Sequence, residues 1–343
     1  MAKRPTIQDI AEHAGVSVAT VDRVLNGRLK VREETARKVS DAAHRIGYHA
    51  TNLIEQRLRA DLPELRVGFV LQKERQAFYQ TLAEEIEQAV RAAPGIRGRA
   101  LIEFATSQSP GEMAELMAGM KARVDAVAAT AVNHHQITEA VLTLKDAGVP
   151  TFAMFNDFAQ GERLNYIGLN NLKVGRIAAW MLATSTRKPG KIAIFVGGHR
   201  WHGHELRETG FRSYFREAQP QYQVLDTLVN LETRQLTYEA TLDLLARHPD
   251  VVGLYLAGGG MEGAIQALRE VRQPGQVALV VNELTPESRS ALSDGYLTMV
   301  ISTPLRQLCT EMVGWMKTIT LGQDTAIPSQ IFLDPVIHVP ESV

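Results

Sequence analysis

The chain has a single cysteine in 343 residues, Cys309, set in an apolar helical run. One thiol excludes an internal disulfide framework, and a buried, inert side chain is expected there. No run of 18 apolar residues occurs, so no membrane-spanning helix is expected. Lys3 and Arg4 have no apolar h-region behind them, which argues against a secretory signal peptide and for the cytosol. Signatures of common chemistries are missing too. There is no GxxxxGK[ST] phosphate loop, and the triple glycine 258–260 lacks the G-x-G-x-x-G order. No nucleophile elbow is present. His199, His202 and His204 crowd into GGHRWHGHE, but their spacing is irregular and no cysteines accompany them, so no metal is expected. Neither a cofactor nor an enzyme is expected. No repeat of 20–50 residues is evident.

What is present is length for two or three domains and an uneven distribution of charge. Residues 1–60 hold 11 Lys/Arg and 7 Asp/Glu, 11 − 7 = +4. The remainder holds 26 and 31, 26 − 31 = −5. A basic head on an acidic body suits a module that faces phosphate while the rest stays clear of it.

The head carries the most informative stretch, TIQDIAEHAGVSVATVDRVLN, Thr6 to Asn26. Apolar residues recur at helical spacing over Ile7, Ile10, Ala11 and Ala14, break, and resume at Val16, Val21, Val24 and Leu25. Thr6 and Asp9 form a capping box, Gly15 suits a positive-φ helix stop, and Ser17 is an N-cap. Two short helices across a tight turn describe a helix-turn-helix. A third helix is expected from about Arg32 to Ile46, stopped by Gly47, closing a small core over Ile7, Ile10 and Val24.

These residues, with VREETARKVSDAAHRIGY after them, resemble without a gap from Ile7 to Tyr48 the headpiece of the LacI/GalR family of bacterial transcriptional regulators. The resemblance implies that TNLIEQRLR, Thr51 to Arg59, is a hinge helix that forms on DNA and wedges a leucine into the minor groove. From the residues alone this segment reads as a linker, too short for a stable isolated helix. Leu58 is the candidate wedge, one residue later than the family pattern, with Arg57 at the strict position.

From Leu65 the text alternates apolar strands with helices. LRVGFVL, ALIEFA, AVAATAV and TFAMF form one series, with a helix around Glu112–Arg123 after ALIEFA; KIAIFVG, VLDTLV, VVGLYLA and QVALVV form a second. A helix over Leu305–Leu321 and a strand near Ile331–His338 follow. Such βαβ alternation implies parallel sheets with helices on both faces. Residues 65–340 resemble the ribose-type periplasmic sugar-binding fold that the family reuses. The expected architecture is an all-α helix-turn-helix headpiece (1–50), a hinge (51–64) and a two-lobed periplasmic-binding-protein-like α/β body (65–343). Lobe one takes about 65–168 and 304–330, and lobe two about 169–303 and 331–343. The chain crosses near Gly168, Thr303 and Gln330, and a ligand sits at the carboxyl ends of both sheets.

At the DNA, a recognition helix entering the groove by its N-terminus brings Val18 and Ala19 to the bases, where they can pack on thymine methyls. Arg23 can reach guanine O6 and N7, or else a phosphate. Thr6, Ser17, Thr20 and Asn26 suit phosphate oxygens. Asp22 accepts from a base or from Arg23 or Arg28, and Arg28 itself faces the backbone or solvent.

At the effector, residues just after strands are the candidates. Gln76, Phe78 and Tyr79 follow the first strand, where the resemblance puts an aromatic clamp; plain packing by Phe78 is the alternative. Asn156 and Asp157 stand where ribose-type proteins carry an acidic and a basic contact. Arg207, in HELRETGF, matches the family's cleft arginine and can clamp hydroxyls or a carboxylate. Glu283 takes the place of a ligand-binding aspartate, or is a loop charge. Asn133 and His134 line the crevice or cap the next helix. His199 or Trp201 touches ligand or packs its loop, and Thr303 at a crossing completes the set. The triple glycine lets the backbone approach the ligand.

The expectation is a sequence-specific transcriptional regulator, a repressor, that binds a palindromic operator as a homodimer. A sugar or polyol is its expected effector, with a sugar acid or amino-acid-like ligand second. A cytosolic α/β enzyme with a helical accessory domain is the remote alternative, and ligand turnover would separate them. The family's tetramers add a leucine-heptad tail absent here, which favours a dimer.

Overall fold

The computed structural model describes residues 5–26, 31–49, 62–323 and 326–343. The candidate wedge Leu58 and Arg28 lie outside the described residues. The chain divides into two units, residues 1–65 with 93–99 and residues 66–92 with 100–343.

In the headpiece, α1 (Ile7–Ala14), α2 (Val18–Asn26) and α3 (Glu33–Arg45) follow the local chemistry closely. The Thr6 hydroxyl accepts from the Asp9 amide, and the Asp9 carboxylate accepts from the Thr6 amide at 2.7 Å. Gly15 adopts φ 66°, and the Val16 amide returns to the Ala11 carbonyl at 3.0 Å, which closes the helix and turns the chain. Ser17 accepts from the Thr20 amide at 3.2 Å and so caps α2. Ile10, Val21, Val39 and Ala42 meet in a core with no exposed surface.

The body opens with β1 (Glu64–Gln72), α4 (Ala77–Ala92), β2 (Arg97–Ala105), α5 (Pro110–Gly119), β3 (Ala126–Ala129), α6 (His135–Asp146), β4 (Thr151–Met154) and β5 (Asn165–Leu169). The second lobe runs through α7 (Asn171–Ser185), β6 (Lys191–Val196), α8 (His202–Ala218), β7 (Gln223–Val224), β8 (Leu228–Val229), α9 (Arg234–Arg247) and β9 (Val251–Leu256). It continues with α10 (Met261–Val271), β10 (Ala278–Asn282), α11 (Pro286–Ser293) and β11 (Met299–Ser302). Then α12 (Leu305–Thr320) returns to pack on α4, and β12 (Gln330–Leu333) and β13 (Val336–His338) end the chain's strands. The first sheet has the order β12-β5-β4-β3-β1-β2 and the second β13-β11-β10-β9-β6-β7, with β8 also paired to β6. β3, β4 and β5 are buried along their whole length, as strands covered on both faces must be. Cys309 is buried on α12, and burial first, then the charge of Glu85, pushes its thiol up to about 12, so it is inert.

Three expectations need correction. The single strand near Ile331–His338 is two strands in different sheets: β12 runs parallel to β5, and β13 antiparallel to β11. The break falls at Asp334–Pro335, where proline removes a ladder donor. The last crossing therefore follows Leu333 rather than Gln330, and residues 331–333 belong to the first sheet. VLDTLV is likewise split, since Arg212 takes the Leu225 carbonyl and the Thr227 hydroxyl between β7 and β8. The helix expected over Glu112–Arg123 spans Pro110–Gly119.

In lobe two, α7 and α8 touch backbone to backbone. A Cβ on Gly175 would overlap the Arg207 carbonyl oxygen, and one on Gly210 would overlap that of Leu172. This approach fixes the height of α8. Gly175→Ala is expected to destabilise the full chain by about 1–3 kcal/mol, the usual cost of overpacking. Urea unfolding would measure it, and a loss below about 0.5 kcal/mol, the range of ordinary surface changes, would mean the helices have slack.

Candidate functional site

A cavity of about 450 Å³ lies between the lobes, at the carboxyl ends of both sheets. Its walls come from the segments that leave the strands: Lys73 to Tyr79 after β1, Phe155 and Asn156 after β4, Glu232 after β8, Gly258 to Gly260 after β9, and Asn282 with Glu283 at β10. Trp201, His204 and Arg207 enter from the start of α8. This is where open parallel sheets hold ligands.

Arg207 is buried; its Nε donates to Asn171 Oδ1 at 2.7 Å and its Nη1 to the Ala257 carbonyl at 2.6 Å. Both acceptors are neutral, and Nη2 has no acceptor among the described residues. Phe78 stands edge-on to Phe155 with ring centroids 5.4 Å apart, giving an apolar face on lobe one. The Glu283 carboxylate accepts from the Thr303 amide and hydroxyl at 3.0 and 2.8 Å. Burial nevertheless raises its pKa against the pull of these donors and of Arg207. Thr130 Oγ1 and Asn282 Oδ1 are buried without a hydrogen-bond partner on two cavity-lining residues.

Glu232 is the most heavily partnered carboxylate among the residues that line the cavity. Its Oε2 accepts from Lys73 Nζ at 2.7 Å and from Gln108 Nε2 at 3.1 Å; its Oε1 accepts from the Gly259 amide at 3.1 Å. Burial disfavours its charge, but Lys73, His204 and these bonds prevail and lower its pKa to about 2. His204 Nδ1 accepts from the Gly197 amide at 3.2 Å, so in the neutral ring the proton sits on Nε2, 3.7 Å from Glu232. Burial lowers the His204 pKa to about 4 despite the nearby carboxylate. Among the described residues, four of the six non-glycine residues with positive φ line this cavity, Lys73, Phe155, Glu232 and Glu283. Strain of this kind, at about 1–3 kcal/mol each, persists where the surroundings over-determine the backbone.

Of the ten expected effector residues, Gln76, Phe78, Tyr79, Asn156, Arg207 and Glu283 line the cavity, and Asn133, Asp157, His199 and Thr303 do not. Asp157 is turned into a buried ion pair with Arg163 and also accepts from Gln160 and Gln330, so it ties β12 to the end of β4. Asn133 is exposed; its amide donates to the Arg200 carbonyl at 3.1 Å, while His134 caps α6. His199 is exposed on its loop. Thr303 acts on the cavity only through Glu283. Lys73, Glu232 and Asn282 were missed, although all three stand at strand ends, the rule that found the others. The triple glycine has a different reason from the expected one: a Cβ on Gly258 would strike the His204 ring, and one on Gly259 would come within 3.0 Å of Glu232 Cβ.

On the headpiece, Val18, Ala19, Arg23 and Asn26 are exposed on α2, with Thr20 and Asp22 half-buried. Asp22 accepts from Asn26 Nδ2 at 2.6 Å, one turn on.

Residues 6–51 match the bacterial regulatory proteins of the lacI family, and residues 67–324 match the periplasmic binding protein domain. The HTH-type transcriptional regulator GntR of Pseudomonas aeruginosa is 29% identical over 282 residues, 81% of this chain and 79% of that protein. The ribitol operon repressor of Klebsiella aerogenes is 30% identical over 204 residues, 58% of this chain and 72% of that protein. The chain belongs to the lacI family of bacterial regulatory proteins. It is a DNA-binding transcriptional regulator whose body has the fold of solute-binding proteins. One of these, an Agrobacterium vitis transporter protein bound with α-D-tagatopyranose, superposes with a TM-score of 0.74 at 22% identity, over 81% of this chain and 95% of that one. Among the described residues no helix is long and apolar enough to cross a membrane, and no cluster of metal-binding side chains occurs.

The regulator should lose stability in acid earlier than its carboxylates alone require. The folded pKa of His204, about 4, lies below its ordinary 6.5, so the unfolded chain takes up the proton first. Stability is full above about pH 6.5 and falls toward pH 4, by at most about 3 kcal/mol from this group. Urea unfolding across this window should show a flatter profile for His204→Gln. Parallel profiles for the two proteins would refute the assignment.

Proposed function

We propose that the regulator is a repressor that binds a pseudo-palindromic operator in the cytosol as a homodimer, and that a sugar or polyol held between the lobes controls its affinity. The observation that carries the ligand reading is the pairing of Arg207, with Nη2 unspent, and the Phe78–Phe155 face on opposite lobes of one cavity. Hydroxyls need such a donor, and the C–H side of a sugar ring needs such an apolar wall. The 450 Å³ volume falls within the roughly 300–1,000 Å³ of small-molecule sites. The tagatose-bound solute-binding protein of the same fold supports the sugar class. A second reading, a sugar acid or amino-acid-like ligand, is favoured by one observation: among the described residues buried Arg207 has no carboxylate within ion-pair distance, and a ligand carboxylate would supply it.

In this reading Val18, Ala19 and Arg23 meet the base edges, and Thr6, Ser17, Thr20, Asn26 and Arg28 meet the sugar-phosphate backbone, with Leu58 as the minor-groove wedge. Asn26 reaches phosphate while holding Asp22, which offsets the repulsion of that carboxylate. The ligand works only through its differential affinity for the two states of the dimer, a coupling of about 1–3 kcal/mol in typical systems.

Two variants test the two halves. Arg23→Ala should weaken binding to a selected operator by about 1–3 kcal/mol and relax preference at one base pair. A loss equal on all sequences would make it a phosphate contact instead. Arg207→Ala should leave ligand-free operator binding within about twofold, roughly 0.4 kcal/mol, yet abolish the thermal shift given by the sugar, polyol or sugar acid that stabilises the parent. A retained shift would remove the cavity from the ligand reading.

A further inference from the structure

Glu232 is held from both sides of the crevice. Lys73 and Gln108 reach it from lobe one, and Gly259 and His204 from lobe two, on which Glu232 itself sits. Its own amide donates to Asn230 Oδ1 at 2.9 Å, which sets the loop after β8. Both ends of the ion pair stand on left-handed backbone, Lys73 at φ 50° and Glu232 at φ 53°. A Cβ on Gly197 or Gly258 would collide with Glu232 or His204, and one on Gly259 would press on Glu232, so the room for the pair is built into two loops. None of these contacts needs a ligand. Two further bonds cross between the lobes nearby: the Gly203 amide donates to Asn156 Oδ1 at 2.7 Å, and the Asn133 amide to the Arg200 carbonyl at 3.1 Å.

We propose that Lys73 and Glu232 form an interlobe clasp that closes the effector crevice before any ligand arrives, so that the ligand-free regulator rests closed and opens by parting this pair. Both side chains are mostly buried, with 20% and 12% of their surfaces exposed. Opening returns two charges to water as it breaks the contact, and the gain of hydration offsets much of the lost attraction. The clasp is therefore a bias between two states rather than a lock. A ligand moves such a balance only by its differential affinity for the two states. The closure is a property of the body alone; only its consequence at the operator rests on the crevice being the effector site.

Hydrogen–deuterium exchange on the ligand-free full-length protein tests it, because the amides of Asn133 and Gly203 are spent on contacts between the lobes. Peptides covering these amides should be protected in the parent. Lys73→Met and Glu232→Gln should each speed their exchange at least tenfold, while peptides within β3 and β9 stay unchanged. The double variant should exchange no faster than the faster single one, since either change alone undoes the pair. Unchanged exchange in either single variant, or additive effects in the double, would overturn the clasp. Protection lost throughout β3 and β9 as well would mean general loosening of the body and would equally count against it. If the crevice amides respond as expected but operator affinity does not shift, the clasp stands and the ligand-to-operator coupling proposed above fails.

Discussion

Glu232 carries its charge into a place that little water reaches, and much of the crevice is arranged around that fact. Three glycines make room for it and for His204, two lobes contribute donors, and the loop that presents it takes a backbone conformation that residues with side chains rarely adopt. A buried carboxylate without partners would take up a proton or open the structure. Here the partners are numerous enough to keep it ionised, so the lobes are joined by an electrostatic contact in the wall of the cavity they enclose.

The remaining architecture decides what that contact can control. Two sheets with the same winding face each other by their carboxyl ends, and the chain crosses between them after Leu169, after Ser302 and after Leu333. Near the third crossing the buried pair Asp157 and Arg163 is bonded to Gln330. In lobe two the glycine contact between α7 and α8 fixes Arg207, whose free edge is the polar feature of the cavity most suited to a ligand. A shift of α8 therefore moves the ligand's anchor and one wall of the crevice together.

Much of this was legible in the amino-acid sequence because it depends on local rules. Thr6, Asp9, Gly15 and Ser17 dictate the caps and turn of the headpiece, and runs such as KIAIFV can only be strands buried on both faces. What was not legible depends on partners distant in sequence. Nothing around Asp157 reveals that Arg163 and Gln330 claim it, and nothing around Lys73 reveals a carboxylate 159 residues away. The run Ile331–His338 was read as one strand because its apolar residues continue past Asp334; Pro335 was the signal that it divides. The short elements α11 and β11 were overlooked because eight and four residues give too little periodicity to register.

The central claim is that one molecule links a crevice to an operator, and linkage is reciprocal. The direct measurement is ligand affinity by calorimetry, with and without saturating operator DNA, beside operator affinity with and without saturating ligand. The two ratios should agree and should differ from one by about fivefold or more. Ligand affinity that is the same on and off DNA would contradict the account.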